Sequence, residues 1–128
     1  MVSIGKRGMA GLIAPKRGEI YLVNFDPAVG SEIKKIRPAL VIQNDVANFY
    51  SPVVIVAAIS SKLKSKIYPA EVLVESPLGN LKAASLVKLD QIKTIDKQRL
   101  IKKIGRLNAG KMALVNRALA ISLGLIEI

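Results

Sequence analysis

The chain has no cysteine, no histidine and no tryptophan. Without cysteine there are no disulfides and no thiol chemistry, a usage that fits a cytoplasmic protein. Without histidine there is no imidazole acid–base catalysis and no Ser-His-Asp triad, and most zinc sites are excluded as well. Acidic residues are also scarce, 9 Asp and Glu against 20 Lys and Arg. They lie scattered along the chain, without the close acidic spacing of a two-metal nuclease, so no metal is expected. Neither a P-loop nor a GxGxxG motif occurs, and no nucleotide cofactor is expected either. No apolar run approaches the roughly 20 residues needed to cross a bilayer. Catalysis, if present, must come from Arg, Lys, Ser, Glu, Asp or backbone groups.

What the chain does have is positive charge and short aliphatic runs. A net charge of +11 on 128 residues attracts phosphates and releases their counterions, which puts nucleic acid first among partners, ahead of an acidic protein or a membrane surface. The length suits one domain able to bury its own core. Residues 1–16, basic with a broken apolar patch, read as a flexible N-terminal extension, leaving residues 17–128 as a single domain.

Five segments read as strands: Arg17 to Phe25, Arg37 to Asn44, Pro52 to Ile59, Pro69 to Glu75 and Ala84 to Leu89. The third is continuously apolar, as a strand buried on both faces would be. The fourth alternates Val72 and Val74 with Glu71 and Glu75, the pattern of a half-exposed strand. Asp96 stands where an N-cap belongs, so KQRLIKKI reads as a short helix stopped by Gly105, and Asn108 to Gly124 as a longer one. The longer helix has two apolar stripes, Met112/Val115/Leu119/Leu123 and Leu114/Ala118/Ile121/Leu125. Two stripes imply two burials, one against the sheet and one against a partner subunit, so a homodimer is expected. The whole is mainly β with C-terminal helices, a small SH3-like barrel.

Between the first two strands lies GSEIKKIRP, residues Gly30 to Pro38, a loop with more charge than a turn requires. Arg37 enters the second strand, and the third ends in Ser60, Ser61 and Lys62. A guanidinium and a hydroxyl on one rim suit a phosphodiester, the arginine through its bidentate fork. Each residue also has an ordinary reading: Arg37 as a strand-start cation, Ser60 and Ser61 as turn residues, Glu32 as a partner for Lys34 or Lys35. Spacing alone favours the ordinary readings.

RGEIYLVNFDPAVGSEIKKIRPALVIQND, then SPVVIVAAISS, then LVKLDQIKTIDKQRLIKKIGRL, closely resembles the MazF/PemK family of toxin endoribonucleases, from about Arg17 to Ile128. The resemblance implies a dimeric SH3-like barrel that cuts single-stranded RNA at a short preferred sequence without metal. It also implies inhibition by a cognate MazE-like antitoxin, whose acidic and apolar tail occupies the RNA groove. The family's catalytic arginine falls on Arg37 and its catalytic hydroxyl, usually threonine, on Ser60; serine lacks the methyl that restricts the rotamer. The loop glycine, serine and glutamate fall on Gly30, Ser31 and Glu32, and Glu32 is the candidate base. Lys34 and Lys35 would draw in backbone phosphate, with Ser61 beside them, while Lys88, Asp90 and Gln91 match the strand that lines the groove. Lys93 stands where the family often has arginine. Two other classes stay in view, a gyrase-inhibiting toxin of the same fold and a noncatalytic nucleic-acid-binding barrel.

Overall fold

The computed structural model describes residues 14–27, 30–31 and 35–128. Six strands form one antiparallel sheet in the order β4-β5-β3-β2-β1-β6: β1 Glu19–Asn24, β2 Ile36–Val41, β3 Val53–Ser60, β4 Glu71–Val74, β5 Ser85–Asp96 and β6 Leu100–Arg106. Helix α1 spans Asp45–Tyr50 and helix α2 Ala109–Ser122. The mainly β architecture and the C-terminal helix are as expected. Of the expected extension at 1–16, residues 1–13 lie outside the described residues.

The segment read as a short helix, 97–104, is instead a 3-10 turn at Lys97–Arg99 followed by strand β6. Asp96 does cap, but only that turn, its carboxylate accepting the Gln98 N–H at 2.8 Å. Leu100, Ile101 and Ile104 mimic a helical stripe because β6 is an edge strand whose outward positions carry Lys102 and Lys103, a usual way of blunting an edge. Gly105 is therefore no helix stop. A Cβ there would sit 2.3 Å from the Gly79 carbonyl oxygen, so glycine lets the turn at Leu78–Asn80 press onto β6. Asn80 Nδ2 donates to the Ile104 carbonyl at 3.0 Å, and the end of β4 is thereby drawn to the opposite edge of the sheet.

Helix α1 was not anticipated, because six residues are too few to show a period. Its start is nonetheless written in the chain, since Asn44 accepts the Ala47 N–H at 2.8 Å. β5 is also longer than expected and runs on through Asp96.

The sheet is buried on both faces. One core gathers Ile20, Leu40, Ala57, Ile59, Val87 and Leu89 under α2, which contributes Val115 and Ala118. The other gathers Val23, Ala39, Val41, Val54, Val56 and Ala58, with Ile95 and Leu100 from the β5–β6 corner. β3 is apolar throughout because it serves both. On α2, Met112 and Leu119 are half-buried beside Val115, whereas Leu114 and Leu123 are exposed, so each stripe is only partly covered.

Arg17 ties the layers together. Its N–H donates to Asp45 in α1 at 2.6 Å, its Nε to the Ile42 carbonyl at 2.8 Å, and its Nη2 to Asn116 in α2 at 2.7 Å. Lys97 is 2% exposed and donates to the Asn48 carbonyl beneath α1; burial pushes its ammonium below the ordinary lysine range.

Candidate active site

β2 begins where β3 ends. Their ladder pairs Val41 with Val56, Leu40 with Ala57 and Ala39 with Ala58, and the same register carried two residues further sets Arg37 opposite Ser60. Pro38 has no N–H to contribute between them. Arg37 is half-buried, pairs with Val23 of β1, and its guanidinium has no hydrogen-bond or ion-pair partner among the described residues. Ser60 Oγ accepts the Lys62 N–H at 3.2 Å. That bond orients a side chain that lacks threonine's methyl and leaves its O–H free to donate.

The loop joining β1 to β2 is closed at its neck. Lys35, at φ +64°, donates its N–H to Asp26 Oδ1 at 2.7 Å and accepts the Phe25 N–H at 2.9 Å. Arg99 reinforces the neck by donating to the Asn24 carbonyl at 3.0 Å and to the Asp26 carbonyl. Gly30, at φ +61°, supplies a left-handed turn, and the Ser31 carbonyl accepts a bond from Gln91 Nε2 at 3.5 Å. Glu32 and Lys34 lie outside the described residues. The loop therefore leaves β1, meets β5 at Gln91 and re-enters the sheet at Ile36, one residue before Arg37.

β5 presents Gln91 through a register break. Ala57 pairs with Ile92 but Ala58 with Lys88, so Leu89, Asp90 and Gln91 stand out of the β3 ladder. Such irregularities re-aim side chains. Asp90 is exposed and Gln91 half-exposed. Lys88 is turned elsewhere: it bonds Glu71 across the β4–β5 ladder at 2.6 Å, with Asp90 Oδ1 at 3.9 Å. Glu71, expected on the exposed face of a half-exposed strand, is buried, since this cross-strand cation lets its carboxylate leave water. Burial pushes the Glu71 carboxyl up, but the Lys88 hydrogen bond, the Tyr68 N–H and the charges of Lys88 and Lys64 outweigh it and hold the group below the usual carboxylate range.

Beside Arg37 and Ser61 opens a cavity of about 610 Å³, which Lys82, Lys102 and Lys103 also line. None of these three lysines was anticipated at the site. Lys102 and Lys103 were hidden by the helical reading of their segment, and the only signal for Lys82 was the overall excess of cations. Among the described residues, no three acidic side chains gather as a metal site would require, and no helix is long and apolar enough to cross a membrane.

A family model described as PemK-like, MazF-like toxin of type II toxin-antitoxin system matches residues 16–123. The chain is 45% identical over 112 residues to the endoribonuclease EndoA of Bacillus subtilis, an alignment covering 88% of this chain and 97% of that one. With the endoribonuclease MazF of Staphylococcus saprophyticus it shares 46% identity over 110 residues, 86% and 92% of the two chains. Among solved structures, MazF of Deinococcus radiodurans superposes with a TM-score of 0.73 at 26% identity, covering 88% of this chain and 98% of that one. A MazE–MazF structure from the same organism gives 0.71 at 26% identity, covering 89% and 99%.

Proposed function

Because the chain belongs to the PemK-like, MazF-like toxins of type II toxin–antitoxin systems and is an endoribonuclease of that family, we propose that it cuts single-stranded messenger RNA at a short preferred sequence, without metal, leaving 2′,3′-cyclic phosphate and 5′-OH ends. The observation that supports this reading is the β2–β3 ladder, whose register, extended two residues beyond its last pair Ala39–Ala58, would bring Arg37 opposite Ser60.

In this reaction the substrate's own 2′-OH attacks the neighbouring phosphorus and the P–O5′ bond breaks. DNA lacks that nucleophile, so discrimination against it is built into the chemistry. The protein has to place the phosphate for in-line attack and stabilise the charge that accumulates on its oxygens. Arg37 holds the nonbridging oxygens by its guanidinium fork and stabilises the charge on the leaving O5′, which takes up a proton from solvent to become the 5′-OH. Ser60 donates its free O–H to a nonbridging oxygen, and Glu32 takes the proton of the 2′-OH. Gly30, Ser31 and Gln91 form the point where loop and sheet meet on the RNA, with Asp90 and Ser61 beside it, while Lys34 and Lys35 attract the flanking phosphates. Lys88 is left out of this set, because its ammonium already compensates Glu71.

The protein works as a cytoplasmic homodimer and is silenced by a cognate antitoxin, in keeping with the MazE–MazF pairing in Deinococcus radiodurans. Exposed Leu114 on α2, with exposed Leu123 and Leu125 just past its end, is the surface left for a second copy. The test of the chemistry is end-group analysis of a cut single-stranded RNA. The expected ends are 5′-OH, open to kinase labelling without prior phosphatase, and a DNA of the same sequence stays whole. Fragments carrying 5′-phosphate would overturn the mechanism.

A further inference from the structure

The cavity of about 610 Å³ is the uncovered end of the core that α2 packs on. Successive side chains of a strand alternate between the faces of its sheet. Leu22, Pro38 and Ile59 therefore fall with Ile20, Leu40 and Ala57, on the face that α2 covers through Val115 and Ala118. Arg37 borders the cavity too, but it and Ser60 fall with Ala39 and Ala58, on the opposite face. No residue of α2 lines the cavity, so Leu22, Pro38 and Ile104 stay only half-buried. The floor is a row across the sheet. Lys102 pairs with Leu22, Leu22 with Pro38, and the β2–β3 register carried one residue further sets Pro38 opposite Ile59. The row ends in a cation at Lys102, and Lys82 also stands at the cavity. Glu19 compensates Lys103 at 2.7 Å, whereas Lys82 and Lys102 have no ion-pair partner among the described residues.

We propose that this open end of the barrel is a small-molecule site for a free, unbranched aliphatic carboxylate, separate from the RNA-cutting face. The chain lies on the Leu22–Pro38–Ile59 row, and Lys82 and Lys102 hold the carboxylate. The mouths of β-barrels are a usual place for such sites. No carboxylate and no aromatic ring lines the space among the described residues, so it welcomes an anion and offers nothing to stack on. Its polar donors are engaged: Asn80 Nδ2 bonds the Ile104 carbonyl at 3.0 Å and the Ser85 hydroxyl the Ala83 carbonyl at 2.9 Å. A polar body entering here loses hydrogen bonds to water without replacement, whereas a hydrocarbon has none to lose. Two strand spacings separate Leu22 from Ile59, about 10 Å, the span of an extended chain of roughly eight methylenes. The inference goes beyond the ribonuclease reading and does not rest on it.

The probe is decanoate, titrated below its micelle concentration into the full chain by calorimetry, with octanoate and hexanoate beside it. The expected result is one decanoate per chain, with affinity falling about 4-fold for each methylene removed. The methyl resonances of Leu22, Ile59 and Ile104 shift on binding. Ala83 is an exposed lining residue, so Ala83→Trp fills the cavity from its wall and abolishes the binding. Should that variant fail to fold, Lys82→Ala/Lys102→Ala removes two exposed cations, weakening decanoate about 10-fold while leaving decanol unaffected. No saturable binding, an affinity indifferent to chain length, or a double variant that binds like wild type overturns the proposal. Methyl shifts confined to α2, or a change in oligomeric mass, also overturn it, because the occupied surface is then the one left for a second copy. So does displacement of decanoate by a single-stranded RNA whose 2′-OH at the cut is replaced by hydrogen, since the cavity then belongs to the RNA groove. Calorimetry needs no cutting, so a chain that binds decanoate and leaves RNA whole defeats the ribonuclease reading alone.

Discussion

Replacing Lys88 by methionine removes the cation that lets Glu71 be buried. The Glu71 side chain is 2% exposed and that of Lys88 14%. After the change the carboxylate keeps the Tyr68 N–H, at 2.9 Å, and the field of Lys64. A buried charge deprived of its partner destabilises by about 3–5 kcal/mol, and at about 4 °C per kcal/mol for a chain of this length the melting temperature falls by about 12–20 °C. The double variant Glu71→Leu/Lys88→Met removes both charges from the same space and is expected to be neutral or stabilised by up to about 4 kcal/mol. pH separates the two variants further. The folded Glu71 carboxyl is held below its ordinary value, so its contribution is present above the unfolded value of about 4.3 and is lost as pH falls through the folded one. The double variant has no such loss and gains on the wild type in acid. Thermal melts between pH 3 and pH 7, with RNA cutting measured in parallel, test the whole argument. Cutting by the double variant should stay close to wild type if the Lys88 ammonium serves only to compensate Glu71. A Lys88→Met variant within 1 kcal/mol of wild type, or a folded double variant that has lost cutting, would refute the reasoning.

Substitutions at three other positions probe separate features. Gly105→Ala pushes a methyl into the Gly79 backbone and should destabilise by about 1–3 kcal/mol or more, read by urea denaturation; a neutral result would mean that the turn at 78–80 does not bear on β6. Ser60→Ala removes one donor aimed at the transition state and should slow cutting by about 10²–10³-fold, whereas Ser60→Thr, which restores the stiff rotamer, should cut at least as fast as wild type. Equal rates for all three proteins would remove Ser60 from the chemistry. Lys97, pushed down by burial, binds fewer protons folded than unfolded, so its contribution to stability rises with pH towards about 10.4. The stability of the wild type relative to Lys97→Met should therefore rise from pH 7 to pH 10, and a pH-independent difference would contradict the assignment.

How much of this was legible beforehand follows from what each element exposes to inspection. β1, β2 and β3 announce themselves because both faces of the sheet are buried and their cores need unbroken Val, Ile, Leu and Ala. β6 does not, because at an edge its outward lysines break the alternation and leave a pattern a helix would also give. Helix α1 is one capped turn and a little more, below the length at which a period exists. Arg37 and Ser60 could be named from the resemblance, but only the β2–β3 ladder, extended past Ala39–Ala58, brings them to the same end of the sheet. The Glu71–Lys88 pair was invisible for the opposite reason: the two residues are 17 apart in sequence, and Glu71 reads as an exposed strand charge and Lys88 as a groove-lining one until the β4–β5 ladder joins them. Lys82 and Lys102 escaped because a cavity wall is assembled from a loop and an edge strand with no shared motif.

The central claim is that Arg37 performs metal-free RNA cleavage at the junction of β2 and β3, and the most direct measurement is the cutting rate of purified wild type and Arg37→Ala on one long single-stranded RNA in EDTA. The account predicts discrete cuts by the wild type that persist in the chelator, and none from an Arg37→Ala protein with an unchanged melting temperature. Wild-type cutting that stops in EDTA, or cutting by Arg37→Ala at the wild-type rate, would contradict it.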